Sequence, residues 1–168
     1  LTRVGAVVAV ALGAASVNAD VIGQWDFDQG DLSATVGDPL DYADGGGGET
    51  QQQTRFGTTA SLGLPDINGE EAEVMGFPAS FEPMGYWMPV STGANGGGQL
   101  VNQWTLILDV LYTGDSHSSW RAFIETDLGF INPDAELFVN PANGIGISGQ
   151  YDGEVISNRW HRISFVID

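Results

Sequence analysis

Residues 99–112, QLVNQWTLILDVLY, show the clearest alternation of apolar and polar positions in the chain. A period of two residues predicts a β-strand whose side chains point alternately to a dry face and a mixed face. So much apolar surface needs the shelter of a packed sheet, because a lone hairpin is barely stable in water. The predicted apolar row is broken only at Asn102 and consists of Leu100, Trp104, Leu106, Leu108, Val110 and Tyr112.

Elsewhere in the chain, shorter apolar runs separated by turn residues also predict β-strands. VIGQWDF at 21–27 predicts a first strand with Ile22 and Trp25 in the core. Further strands are predicted at 40–42, 56–64, 72–77, 120–126, 137–139, 145–147 and 160–168. Turns are predicted at 65–69, at Asn143-Gly144 and at 151–153, and the glycine and glutamine residues from 45 to 53 predict a surface loop. After residue 19 no capped helical period appears, so about ten short strands predict an all-β sandwich.

Composition adds the size and the charge of the molecule. The 168 residues suffice for about one domain, and the chain contains no cysteine. With 22 acidic residues, five arginines and no lysine, the net charge is −17. Phosphate backbones and anionic lipid surfaces would repel such a chain, so neither nucleic acid nor bare membrane is expected as a partner. Two interpretations remain for the acidity, namely solubility in a salty medium and cation binding.

The two ends of the chain predict export and an incomplete domain. Leu1–Ala19 combines Arg3, the apolar run Val4–Ala15 and a small-residue cleavage site at Val17-Asn18-Ala19. This run is short for a membrane anchor, which predicts a cleaved signal peptide at 1–19, a domain at 20–168, and a secreted or cell-surface protein. The chain stops within the predicted last strand, and we therefore expect a fragment whose sandwich is incomplete at its C-terminus.

Several short motifs, taken in order, resemble the laminin-G-like or concanavalin A-like domains of secreted bacterial proteins. They are Gly23, Trp25 and Phe27 in a G-x-W-x-F pattern, then AEVMGFP at 72–78, VNQWTLILDV at 101–110, DAELFVN at 134–140, GIGISGQYDG at 144–153 and RWHRI at 159–163. The resemblance implies an antiparallel jelly-roll β-sandwich. It leaves the activity open, because this sandwich is found in lectins, adhesion modules, glucanases and lyases.

Calcium is the expected cofactor, because hard cations take oxygen ligands from loops and such modules often hold calcium at the sandwich rim. Asn132, Asp134 and Glu136 alternate after Asp127, so these four side chains predict one calcium site on an extended loop. A second acidic cluster consists of Asp26, Asp28 and Asp31. The alternative for both clusters is a solvated loop without metal.

Catalytic chemistry finds little support in the residues. The E-x-D-x-x-E strand of related glucanases is missing, and Glu71 and Glu73 begin in a turn, which favours solvation. The two histidines are His117 in a hydrophilic loop and His161 on an apolar strand face, where we expect a hydrogen-bonded structural role. No nucleophile motif is present, and no catalytic residue is predicted.

Aromatic side chains near turns are the candidates for ligand binding. Trp87, Trp120 and Tyr151 are predicted to contact a ligand, with packing as the alternative, whereas Trp25, Trp104 and Trp160 are predicted to be core residues. The sequence thus predicts an exported, non-catalytic binding or adhesion module for carbohydrate or protein surfaces, with calcium support and further domains as partners. The alternatives are a secreted polysaccharide hydrolase or lyase with catalytic residues elsewhere, and a structural spacer.

Overall fold

The computed structural model describes residues 20–44, 46–79, 84–114, 118–126 and 137–168. The predicted signal peptide at 1–19 lies outside the described residues. The described chain is all-β apart from one short helix, as predicted. Its elements are β1 (Asp41–Ala43), α1 (Glu49–Gln53), β2 (Arg55–Thr58), β3 (Glu73–Gly76), β4 (Gly85–Trp87), β5 (Trp104–Val110), β6 (Arg121–Ile124), β7 (Leu137–Val139), β8 (Ile145–Ile147), β9 (Gln150–Asp152) and β10 (His161–Ile167).

The two longest strands, β5 and β10, pair antiparallel over seven residues, from His161 opposite Val110 to Ile167 opposite Trp104. The predicted alternation is confirmed in both strands, because even positions of β5 and odd positions of β10 are the better buried ones. Across the pair, the rings of Trp104 and Phe165 meet edge to face with centroids 5.4 Å apart. On the exposed face the Arg162 guanidinium donates to both carboxylate oxygens of Asp109, at 2.8 and 2.6 Å.

The central strand begins later than predicted. Residues 99–103 are not in a strand, and Leu100 is 72% exposed rather than in the core. The reason is the side chain of Asn95, whose Oδ1 accepts the backbone N–H groups of Asn102 and Gln103 at 2.7 and 2.8 Å. A backbone donor used in this way is not available to a neighbouring strand, so the ladder starts at Trp104.

A four-stranded antiparallel sheet has the order β6-β7-β8-β9. The predicted Asn-Gly hairpin between β7 and β8 is confirmed, and Asn143 adopts the left-handed backbone conformation with φ of 68°. The next reversal is at Ser148-Gly149, where φ is 48° and 84°, values typical of a type I′ turn. The prediction of a turn at 151–153 is therefore wrong for Tyr151 and Asp152, which lie within β9.

Two further antiparallel pairs complete the described sheets, β1 with β4 and β2 with β3. The predicted turn at 65–69 lies between β2 and β3, closed by a bridge between Ile67 and Glu70. The predicted first strand at 21–27 is wrong: it contributes only one bridge, between Gln24 and Val36. Phe27 has a φ of 61°, which ends the extended run, and Ile22 is exposed rather than in the core.

Helix α1 replaces part of the loop predicted from 45 to 53. Its first turn is held by Asp44, whose carboxylate accepts the N–H of Thr50 at 2.6 Å and that of Gln51 at 3.0 Å. A carboxylate at a helix N-terminus satisfies donors that have no partner inside the helix. Partial burial acts against ionisation, but these hydrogen bonds prevail and lower the pKa of Asp44.

One cluster of buried hydrophobic side chains joins the end of β5 to the four-stranded sheet. The cluster consists of Val110, Tyr112, Val139 and Val155, with Phe123, Ile145 and Ile163 packed against it. The rings of Tyr112 and Phe123 meet edge to face within it, 5.7 Å apart. No helix in the described part of the chain is long and apolar enough to cross a membrane.

Candidate functional site

One face of the four-stranded sheet carries a row of residues set directly opposite each other. The strand register places Ala122 opposite Phe138, Phe138 opposite Gly146, and Gly146 opposite Tyr151. Residues opposite each other share a face, and so do residues two apart in one strand. Trp120 precedes Ala122 by two residues, so the backbone pattern directs it to this same face. We call Trp120, Phe138 and Tyr151 the aromatic strip.

Within the aromatic strip, Trp120 contacts both of the other rings edge to face. The centroid of Trp120 lies 5.5 Å from that of Tyr151, with an interplanar angle of 67°, and 6.2 Å from that of Phe138, with an angle of 88°. Phe138 and Tyr151 flank Gly146, so the indole bridges β7 and β9 across a strand position without a side chain. Aromatic pairs of this geometry contribute about 0.5–1.5 kcal/mol beyond the area they bury. The indole is thus held in one orientation although 60% of Trp120 is exposed.

The opposite face of the same sheet packs into the core. Arg121 is only 7% exposed there, and its Nη2 donates to Asn143 Oδ1 at 2.6 Å. Its guanidinium lies 4.7 Å from the centre of the Tyr112 ring, a cation–π contact. Burial lowers the pKa of Arg121 and raises the pKa of Tyr112 to about 12. This cation therefore faces away from the strip.

The structure brings together two of the three aromatic residues predicted to bind a ligand. Trp120 and Tyr151 are in contact, but Trp87 lies on β4 opposite Asp41, in another sheet. Trp87 is 41% exposed and makes no ring contact with the strip among the described residues. The sequence pattern did not predict that the third ring, Phe138, contributes to this face. The Asn-Gly hairpin between β7 and β8 could have indicated its register.

The predicted core tryptophans are half-buried, and two of them donate a hydrogen bond from the indole N–H. Trp25 Nε1 donates to the carbonyl of Asp38 at 3.0 Å, and Trp160 Nε1 donates to that of Pro65 at 2.7 Å. Trp104 packs against Phe165 in the β5–β10 pair. A half-buried indole with a satisfied N–H is typical of structural packing.

The predicted calcium ligands Asp127, Asn132, Asp134 and Glu136 lie outside the described residues. The second acidic cluster is described, and its carboxylates organise the turn between Gln24 and Val36. Asp26 accepts from Thr35 and Gln24, and Asp31 accepts from Ser33. These hydrogen bonds lower the pKa of Asp26 and of Asp31. No group of three acidic or histidine side chains suited to a metal occurs in the described ranges.

The other titratable candidates occupy ordinary positions. The ring of His161 lies 3.0 Å, through Nε2, from the carbonyl oxygen of Ile156, in keeping with the predicted hydrogen-bonded structural role. Glu71 and Glu73 are exposed, and His117 lies outside the described residues. The geometry of the described residues therefore favours the aromatic strip as the candidate site.

Compared with known proteins, the chain matches no protein-family model, no curated protein and no solved structure. The resemblance to concanavalin A-like domains stays a prediction. Support for a function comes from the side chains themselves, and above all from the aromatic strip.

Proposed function

We propose that the chain is an exported, non-catalytic binding module that uses the aromatic strip to hold carbohydrate. The observation that carries the proposal is the exposure of Trp120, 60%, together with its fixed edge-to-face contacts to Tyr151 and Phe138. A contiguous exposed patch of apolar rings marks an interaction site more often than a single exposed side chain does. A rigid exposed ring also loses little conformational entropy on binding.

The chemistry of the strip suits a sugar ring. Aromatic faces pack against the apolar C–H face of a sugar, while polar groups at the edge bind its hydroxyls. Tyr151 has a phenol at such an edge, and its chain neighbours Gln150 and Asp152 are exposed. Asp152 Oδ1 already accepts the N–H of Gly153 at 2.7 Å, which holds this carboxylate at the end of β9.

The net charge narrows the class of partner. At −17 the chain repels phosphate-rich polymers, so stacking of the strip on nucleic acid bases is disfavoured. Neutral polysaccharide carries no such penalty. The same strip could also meet an apolar patch on a protein, and the experiment below separates the two partners.

Three further parts of the proposal rest on the sequence. Export rests on the pattern of residues 1–19, and the jelly-roll sandwich rests on the order of the motifs from Gly23 to Ile163. Calcium support rests on Asp127, Asn132, Asp134 and Glu136, whose oxygen atoms are the ligands that calcium prefers. In this proposal calcium binds residues that directly precede, in the sequence, the strand that carries Phe138.

The test is binding of the exported protein to a glycan array, in calcium and in a chelator. We expect Trp120→Ala to weaken binding to every recognised glycan by tenfold or more, which corresponds to about 1.4 kcal/mol. The matched control is Trp87→Ala, an exposed tryptophan in another sheet, which we expect to bind normally. Loss of binding in the chelator supports the calcium site.

Three outcomes would contradict the proposal. If no glycan binds, the carbohydrate ligand is wrong, and a protein partner becomes the alternative for the strip. If Trp120→Ala binds as well as the unmodified protein, the strip is not the site. If Trp87→Ala weakens binding equally, the effect is not specific to the strip.

A further inference from the structure

Asparagine is followed by glycine at three places in the sequence, at Asn68-Gly69, Asn95-Gly96 and Asn143-Gly144. In such a pair the backbone nitrogen of the glycine can attack the side-chain amide carbon of the asparagine, because glycine has no side chain to obstruct the approach. The three pairs have the same local chemistry. Differences in their reactivity must therefore come from the fold, which gives each of them a different environment.

The pair at Asn143-Gly144 is buried and hydrogen bonded on both reacting groups. Asn143 is 6% exposed, and its Oδ1 accepts from Nη2 of Arg121 at 2.6 Å. The backbone N–H of Gly144, which carries the attacking nitrogen, donates to Oδ1 of Asn140 at 3.0 Å. Attack at this pair requires that both hydrogen bonds break and that water reaches a buried position.

The pair at Asn95-Gly96 is held by the side chain of the asparagine. Oδ1 of Asn95 accepts the backbone N–H groups of Asn102 and Gln103 at 2.7 and 2.8 Å, and its Nδ2 donates to the carbonyl of Gln103 at 2.6 Å. Rotation of this amide towards the nitrogen of Gly96 would break three hydrogen bonds at once. The fold therefore protects this pair as well.

The pair at Asn68-Gly69 has neither kind of protection. Both residues are exposed, and in the described part of the chain neither the Asn68 side chain nor the N–H of Gly69 has a hydrogen-bond partner. The turn is closed by Ile67 and Glu70, which exchange two backbone hydrogen bonds of 3.0 Å, and these bonds leave the two residues between them unused. A Cβ at Gly69 would meet nothing within 4 Å, so water has open access.

We propose that Asn68 is the site at which the folded chain deamidates spontaneously. The nitrogen of Gly69 gives up its proton and bonds to Cγ of Asn68, the C–N bond of the side-chain amide breaks, and ammonia leaves. The resulting five-membered imide is then hydrolysed by one water molecule. Opening at one carbonyl gives aspartate and opening at the other gives isoaspartate. No oxidant, enzyme or cofactor takes part, and each event adds one negative charge to the chain.

The test is incubation of the folded chain in mildly alkaline buffer, followed by peptide mapping with mass spectrometry. We expect the peptide that contains Asn68 to convert at least tenfold faster than the peptides that contain Asn95 and Asn143, because those two react only after local opening. The same incubation in concentrated denaturant is the internal control. There we expect the three pairs to react within about threefold of each other, since unfolding removes the hydrogen bonds that protect two of them.

Two variants link the charge change to this position. Asn68→Gly removes the amide, and glycine accommodates the φ of 58° at this position, so this variant is expected to keep its Tm and to form no early acidic species on isoelectric focusing. Asn68→Asp marks where the singly deamidated chain migrates.

The proposal is overturned if Asn68 stays unmodified in the folded chain while it reacts in denaturant. It is also overturned if Asn95 or Asn143 converts as fast as Asn68 in the folded chain. Acidic species that form at the unmodified rate in Asn68→Gly would contradict it as well.

Discussion

Val139 is the best-buried hydrophobic side chain of the described core. It is fully buried, at 0% exposure, in contact with the cluster of Val110, Tyr112 and Val155. Val139→Ala removes two buried methyl groups, at about 0.8 kcal/mol each, and leaves a cavity that the surrounding strands fill only in part. We therefore expect a loss of about 2–3 kcal/mol in the free energy of unfolding. For a chain of this length that corresponds to a fall in Tm of about 4–12 °C.

The assay is thermal unfolding followed by circular dichroism, with urea unfolding as a second measure. The matched control is Val90→Ala, since Val90 is exposed and lies outside the strands. Exposed substitutions usually change stability by less than about 0.5 kcal/mol. The reasoning is refuted if Val139→Ala unfolds within 2 °C of the unmodified protein, or if the control loses as much.

Two further predictions concern acid stability and the aromatic strip. The hydrogen bonds that lower the pKa of Asp26, Asp31 and Asp44 add stability above their ordinary pKa of 3.8, and this stability is lost as pH falls through the lower folded values. The triple variant with asparagine at these positions should melt below the unmodified protein at pH 7 and approach it as the pH falls below 3.8. Parallel profiles would contradict this. Gly146→Ala should displace β9 and weaken glycan binding, because a Cβ there would clash with the backbone oxygen of Gln150. Gly93→Ala, with open space around it, should change neither stability nor binding. Normal binding by Gly146→Ala would refute the close packing of β8 against β9.

The regular strands were predictable because their signals are local. The alternation of β10 and the Asn-Gly hairpin of β7 and β8 depend on neighbouring residues only, and both are confirmed. Part of the aromatic strip was also within reach, since Trp120 and Tyr151 were both predicted to bind a ligand. The contact of Trp120 with Phe138 was not predicted, because it follows from the pairing of β6 with β7 rather than from either strand alone.

Two of the wrong predictions share a different cause, namely side chains that hydrogen bond to backbone several residues away. Asp44 holds the first turn of α1 across several residues, so the glutamine end of a stretch predicted as a loop forms a helix. Asn95 takes the backbone donors of Asn102 and Gln103, so an apolar row that predicts a longer strand leaves Leu100 in solvent. Such contacts compete with regular structure and have no periodic signal.

The most direct test of the carbohydrate-binding claim is affinity electrophoresis of three proteins in gels that contain a neutral polysaccharide selected from the array. We expect the unmodified protein and Trp87→Ala to be retarded equally and Trp120→Ala to migrate as it does in a gel without polysaccharide. Equal retardation of all three proteins would contradict the assignment of the aromatic strip as the binding site.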